Sequence, residues 1–205
     1  MNDKSGIDWD DAFANRAYIE NSMSYPPLWA ARAAAFRSKA DRVEMDIGYG
    51  EHPREKLDLF FPSEAPCGLV VIVHGGHQVT RMVCDDSPLL SEVLERVEGL
   101  VSISGLHDLR PLQLTAMNEH LHLTPQSAAL ESAVLHRPAG RAEMVCWVGG
   151  AERPEFLRQS AVLVETWGHA GAKTQLVVDP IKHHFDVIDS LKDPQSDMTR
   201  TLLGV

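Results

Sequence analysis

Long apolar runs are missing from this 205-residue chain: none approaches the roughly 20 residues a membrane-spanning helix needs, and the charged N-terminus has no apolar signal core. Cysteine is scarce and odd in number, and Cys67, Cys84 and Cys146 share no metal-type or redox spacing. A disulfide framework is thereby excluded, and the three thiols suit the reducing conditions of a cytoplasm. Basic residues are outnumbered, 19 against 29 acidic ones, so the surface should repel phosphate backbones and anionic headgroups. Neither nucleic acid nor a membrane is an expected partner. Repeats, low-complexity tracts and linkers are absent as well, and the length suits one domain, residues 1–205, able to bury its own core.

What is present alternates between strand and helix signals. Residues 9–40 carry helix formers and aromatics broken by Tyr25-Pro26-Pro27, which reads as a helical N-terminal arm, residues 1–40. Residues 42–49 and 56–61 alternate apolar and polar around Gly50-Glu51-His52-Pro53, the pattern of an antiparallel hairpin at a sheet edge. Residues 69–73 and 100–103 are continuously apolar, and residues 144–148 and 175–178 add two more apolar runs. Such runs suit strands covered on both faces. Helix is expected over 79–84, 89–97, 154–167 and 185–191, while 110–140 is irregular and suits a cap or loop. The expected fold is a three-layer α/β sandwich with a mostly parallel sheet and right-handed crossovers.

In such sheets reactive groups gather just beyond the carboxyl ends of the strands. Three groups occupy that position. His74-Gly75-Gly76 follows an apolar run, and the glycines would let backbone N–H groups approach a developing oxyanion, or would simply turn the chain from strand to helix. Glu152, past Trp147-Val-Gly-Gly150, could orient a histidine or cap a helix N-terminus. His184, in Lys182-His-His-Phe-Asp186, could act as a general base or stand solvated. No cofactor motif is found. His120-Leu-His122 and His183-His184 lack a third ligand at metal spacing, so no metal site is expected.

Several strings together resemble the α/β-hydrolase family of serine-type arylformamidases and related esterases. They are Pro53-Arg-Glu-Lys-Leu-Asp-Leu-Phe60, Val73-His-Gly-Gly76, Ile103-Ser-Gly-Leu-His-Asp-Leu-Arg-Pro111, Trp147-Val-Gly-Gly-Ala-Glu-Arg-Pro-Glu-Phe156 and His184-Phe-Asp-Val-Ile188. The resemblance implies an oxyanion loop at His74, Gly75 and Gly76, Glu152 as triad acid and His184 as base. It also implies a small formamide or ester as substrate, of the N-formylkynurenine type.

One part of that pattern is missing. Members carry a Gly-x-Ser-x-Gly nucleophile elbow, and no such pentapeptide occurs in this sequence. Aligned through Gly75-Gly76-His77, the serine position falls on Val73. The units between oxyanion loop and elbow read as excised at a shared Gly-Gly, leaving a sheet of about six strands with residues 69–73 beside 100–103. An uncovered apolar face would then favour a homodimer. Ser104 is the nearest substitute nucleophile, but it lacks the flanking-glycine turn; Cys84 and Cys146 read as core thiols. Three outcomes follow from the sequence: an impaired hydrolase, a catalytically dead small-molecule-binding or interaction protein, or an internally deleted form without function.

Overall fold

The computed structural model describes residues 6–73 and 75–205. In chain order they form α1 (Trp9–Ala12), α2 (Tyr25–Arg37), β1 (Val43–Gly48), β2 (Lys56–Phe60), α3 (Gly76–Arg81), α4 (Ser91–Leu94), β3 (Gly99–Ile103), α5 (Asn118–Leu121), α6 (Pro125–Leu130), β4 (Glu143–Gly149), α7 (Pro154–His169), β5 (Thr174–Asp179) and α8 (Asp197–Leu203), joined by loops and short 3-10 turns. The chain divides into two compact units, residues 21–71 and the remainder.

In the smaller unit, Pro26 and Pro27 do not separate two helices but start one, standing in the first turn of α2 where their missing N–H groups cost nothing. β1 and β2 pair antiparallel, with a register shift between Glu44 and Ile47. Asp46 adopts φ +56° there, and its N–H donates to Asp58 Oδ1 at 3.1 Å. Asp58 also accepts from Arg37 at 2.9 Å, and Phe36 packs on Phe60 with centroids 5.1 Å apart, tying α2 to the hairpin. The Asp46 N–H hydrogen bond, followed by that from Arg37, holds the Asp58 carboxyl below its usual range.

In the larger unit β3, β4 and β5 form a parallel sheet in that order, with β4 central. β4 is apolar at nearly every position because both its faces are covered. Met144 and Cys146 face α7, packing with Leu163, Trp167, Val83 and Leu100. Val145 and Trp147 face the opposite way, against Val187 and Met198 of the C-terminal segment. Helices on both sides of a parallel sheet give the three layers expected from the alternating sequence pattern. A third cluster closes the carboxyl end of β4, where Val148 meets Phe13 of the N-terminal arm, Leu109, Leu112, Ala128 and Phe156.

The strand count differs from expectation. Among the described residues there are five strands in two separate sheets, and the hairpin forms its own sheet rather than an edge of the parallel one. Residues 69–73 carry no strand, and their side chains are exposed, from 42% at Val70 to 78% at Ile72. An isolated extended segment has no ladder to satisfy its amides, so apolar composition alone does not make it a strand. Residues 185–191, expected as a short helix, contain a 3-10 turn over Val187–Lys192.

Candidate active site

The carboxyl end of β4 is built on two glycines. A Cβ on Gly149 would collide with the Lys182 carbonyl, and one on Gly150 would lie 2.9 Å from Pro180 Cα. Without side chains there, the loop after β5 packs directly on the end of β4. Gly150 N–H donates to the Asp179 carbonyl at 2.6 Å and Ala151 N–H to the Lys182 carbonyl at 2.9 Å. That close approach carries His184 over Glu152.

Glu152 has no exposed side-chain surface, and its two oxygens take four hydrogen bonds. Oε1 accepts from Gly149 N–H at 2.9 Å and from the Ser104 hydroxyl. Oε2 accepts from Asn15 Nδ2 at 3.0 Å and from His184 Nδ1 at 2.8 Å. A buried carboxylate is tolerable only when so fully satisfied. In the tautomer that turns an Nδ1 proton to Glu152, the ring carries its lone pair on Nε2. The ring is one-third exposed and packs edge-on against Phe156, with centroids 5.0 Å apart. The neighbouring His183 is engaged differently, its ring 3.1 Å from Asp186.

Sequence reasoning paired Glu152 with His184 by their order after successive strands, and the two side chains do meet. Ser104 is also at this centre but turned to the acid: its hydroxyl serves Glu152, with no hydrogen bond to His184 recorded among the described residues. Gly75 caps α3 with φ +126°, a conformation reserved for glycine. Gly76 packs so tightly on the end of β3 that a Cβ would fall 2.6 Å from Gly105 Cα. His74 lies outside the described residues. Val73, at the expected serine position, stands outside any strand.

Asn15 is the residue that sequence reasoning missed. Its Oδ1 accepts from Arg153 N–H at 2.7 Å while its amide donates to Glu152, so the N-terminal arm is bonded into the site. Arg153 reinforces this by pairing with Asp11 and stacking on Tyr18, 3.9 Å from the ring centroid.

The two buried thiols offer no alternative nucleophile. Burial pushes the Cys146 thiol up to about 12 and raises that of Cys84, so neither forms a thiolate near neutrality. Among the described residues the histidine pairs 120/122 and 183/184 join no group with metal-ligand geometry. Asp85, Asp86 and His136 do cluster, but Asp86 is held by a two-pronged Arg81 pair at 2.7 and 3.1 Å.

No protein-family model matches the chain. It is 25% identical over 172 residues to a kynurenine formamidase of Danio rerio and 26% identical to that of Salmo salar, matches that take in 81% and 80% of this chain. The matched regions span 59% and 58% of those two enzymes. A crystal structure from Silicibacter sp., provisionally described as a thioesterase, superposes with a TM-score of 0.85 at 32% identity, covering 97% of this chain and all of that one. Fold and relatives together make the protein an α/β-hydrolase. Within that class it is related to the kynurenine formamidases and to the Silicibacter protein.

Proposed function

We propose that this protein is a weak hydrolase of small aryl formamides or carboxylic esters that works by activating water. The observation carrying the reading is the 2.8 Å bond from His184 Nδ1 to a fully buried Glu152, which leaves Nε2 as a base on an accessible ring. Nε2 takes a proton from water as its oxygen adds to the carbonyl carbon. The same proton then passes to the departing amine or alkoxide as the C–N or C–O bond breaks, releasing formate or another carboxylate. Glu152 orients the ring and stabilises the imidazolium formed between the two steps. Backbone N–H groups of the Gly75-Gly76 turn serve the oxyanion in this reading, which rests on their position at the carboxyl end of β3.

The activity is impaired because the elbow serine has no counterpart. Loss of a nucleophile costs about 10⁶-fold in a serine protease and leaves roughly 10³ to 10⁴ over water. A join at Gly75-Gly76 accounts for both halves of this region. α3 packs on β3 as the helix following an elbow should, while residues 69–73 ahead of it lack strand neighbours.

The test is hydrolysis of an aryl formamide and a p-nitrophenyl ester by the purified chain, with His184→Ala beside it. Slow turnover without a burst, no labelling by a fluorophosphonate, and loss of the residual rate in His184→Ala are expected. Rapid turnover with covalent labelling, or a rate indifferent to His184, overturns the proposal. Because no serine among the described residues hydrogen-bonds His184, binding alone is a second reading; saturable binding of an aromatic amide without turnover, unchanged in His184→Ala, would support it.

A further inference from the structure

Ser104 is one of four non-glycine residues with positive φ among those described, at +50°. The others are an asparagine, an aspartate and a histidine, types that tolerate this region through their short polar side chains or turn positions. Serine has less claim to it. The strain arises where β3 ends. Ser104 N–H still donates to the Trp147 carbonyl at 2.8 Å, continuing the ladder with β4 one residue past the strand, and the backbone then turns sharply. The result is that the side chain points across to Glu152 and its hydroxyl donates to Oε1. Such strain persists only where surrounding structure fixes it, and it clusters at functional sites.

A carboxylate oriented through one oxygen can still rotate about its Cγ–Cδ bond. Here both oxygens are fixed by independent elements: Gly149 N–H and Ser104 on Oε1, Asn15 on Oε2 beside His184. Asn15 is itself fixed by Arg153 N–H, and both Ser104 and Asn15 are buried, at 8% and 6% exposure. We infer that Ser104 and Asn15 are positioning residues that lock the plane of the Glu152 carboxylate, so that Oε2 holds the His184 proton on Nδ1. Ser104 is thus committed to the acid and does not stand in for the absent nucleophile. The inference rests on the proposed role of Glu152 and His184, but it concerns the state of the imidazole and can be read without turnover.

The experiment is ¹⁵N NMR of the His184 ring at a pH where it is neutral, in the whole protein and in Ser104→Gly, Ser104→Ala and Asn15→Ala. Ser104→Gly removes the hydroxyl while suiting the positive φ, so it guards against misfolding in the other two. Wild type should show the Nδ1–H tautomer predominating. In each variant the ratio of the two tautomers should fall by about tenfold, the factor carried by one hydrogen bond to a charged group. Unchanged tautomer ratios in Ser104→Gly and Asn15→Ala would reduce both residues to packing roles and overturn the inference. Covalent labelling by a fluorophosphonate that disappears in Ser104→Ala would overturn it differently, by making Ser104 the nucleophile. If wild type hydrolyses nothing yet the tautomer shifts as expected, the proposed activity fails and the positioning roles stand.

Discussion

Residues 69–73 and residues 144–148 are both five consecutive apolar residues, and the fold treats them oppositely. The second run is the centre of β4, flanked by β3 and β5, with helices on both faces and no residue more than 9% exposed. The first joins no ladder and stands open to solvent. Composition makes a strand possible, and neighbours make it real. In the proposed reading the contrast is direct, because β4 brings Glu152 to His184, whereas the first run ends on Val73, which has no nucleophilic atom.

The sharpest way to break the comparison is to place a carboxylate in each run. Val148→Asp puts an unpaired charge where exposure is zero, costing several kcal/mol, enough to abolish the cooperative thermal transition of a domain whose total stability is about 5–15 kcal/mol. Val71→Asp, at a position 70% exposed, should change stability by no more than about 0.5 kcal/mol in denaturant titration. Equal losses would mean that the first run is packed in solution.

A smaller effect comes from the polar atoms enclosed beside β4. His107 is fully buried, with Nδ1 3.2 Å from Thr80 Oγ1, Nε2 3.4 Å from Ser102 Oγ and Cys146 Sγ at 4.0 Å. Burial, helped by nearby His77, pushes its imidazole down to about 3 from 6.5. The native protein therefore keeps His107 neutral, while the unfolded chain binds a proton below pH 6.5. Its contribution is intact above that pH and is lost as the pH falls toward 3. Between pH 7 and pH 5 wild type should lose about 2 kcal/mol more than His107→Gln in denaturant unfolding. Burial lowers His77 as well, which adds in the same direction and persists in the variant.

The smallest expected effect concerns the first run alone. Val73→Ser supplies the missing hydroxyl but not the strand and strained turn that would aim it. Ester hydrolysis should stay at the wild-type rate, and fluorophosphonate should not label the variant. Labelling at residue 73 would show that the chain forms an elbow there after all.

How much was legible follows from the same contrast. β4 was readable because two-sided burial leaves a continuous apolar run, β3 and β5 from shorter apolar runs beside it, and α7 because Pro154 marks its first turn. Glu152 and His184 stood out for their places past strand ends, a local property, and the resemblance supplied their expected roles; the structure brings the two side chains within 2.8 Å. Residues 69–73 were misread because periodicity says nothing about whether a neighbouring strand exists. Asn15 was invisible for a related reason: its bond to Glu152 spans 137 residues, and nothing near position 15 announces a carboxylate. Ser104 was found for its place beyond β3, but its direction depends on a backbone angle that sequence does not encode.

The two faces of the central strand also carry optical reporters. Trp167, on the α7 face of the sheet, donates its indole N–H toward the carbonyls of Ala133 and His136, each at 3.1 Å. Trp147 lies on the opposite face, its buried indole nitrogen without a recorded partner among the described residues. Each can be followed alone once Trp9, Trp29 and the other of the pair are replaced with phenylalanine. If their emission changes coincide on unfolding, the two layers melt as one cooperative body, and if they separate, the sheet divides the molecule into halves of different stability.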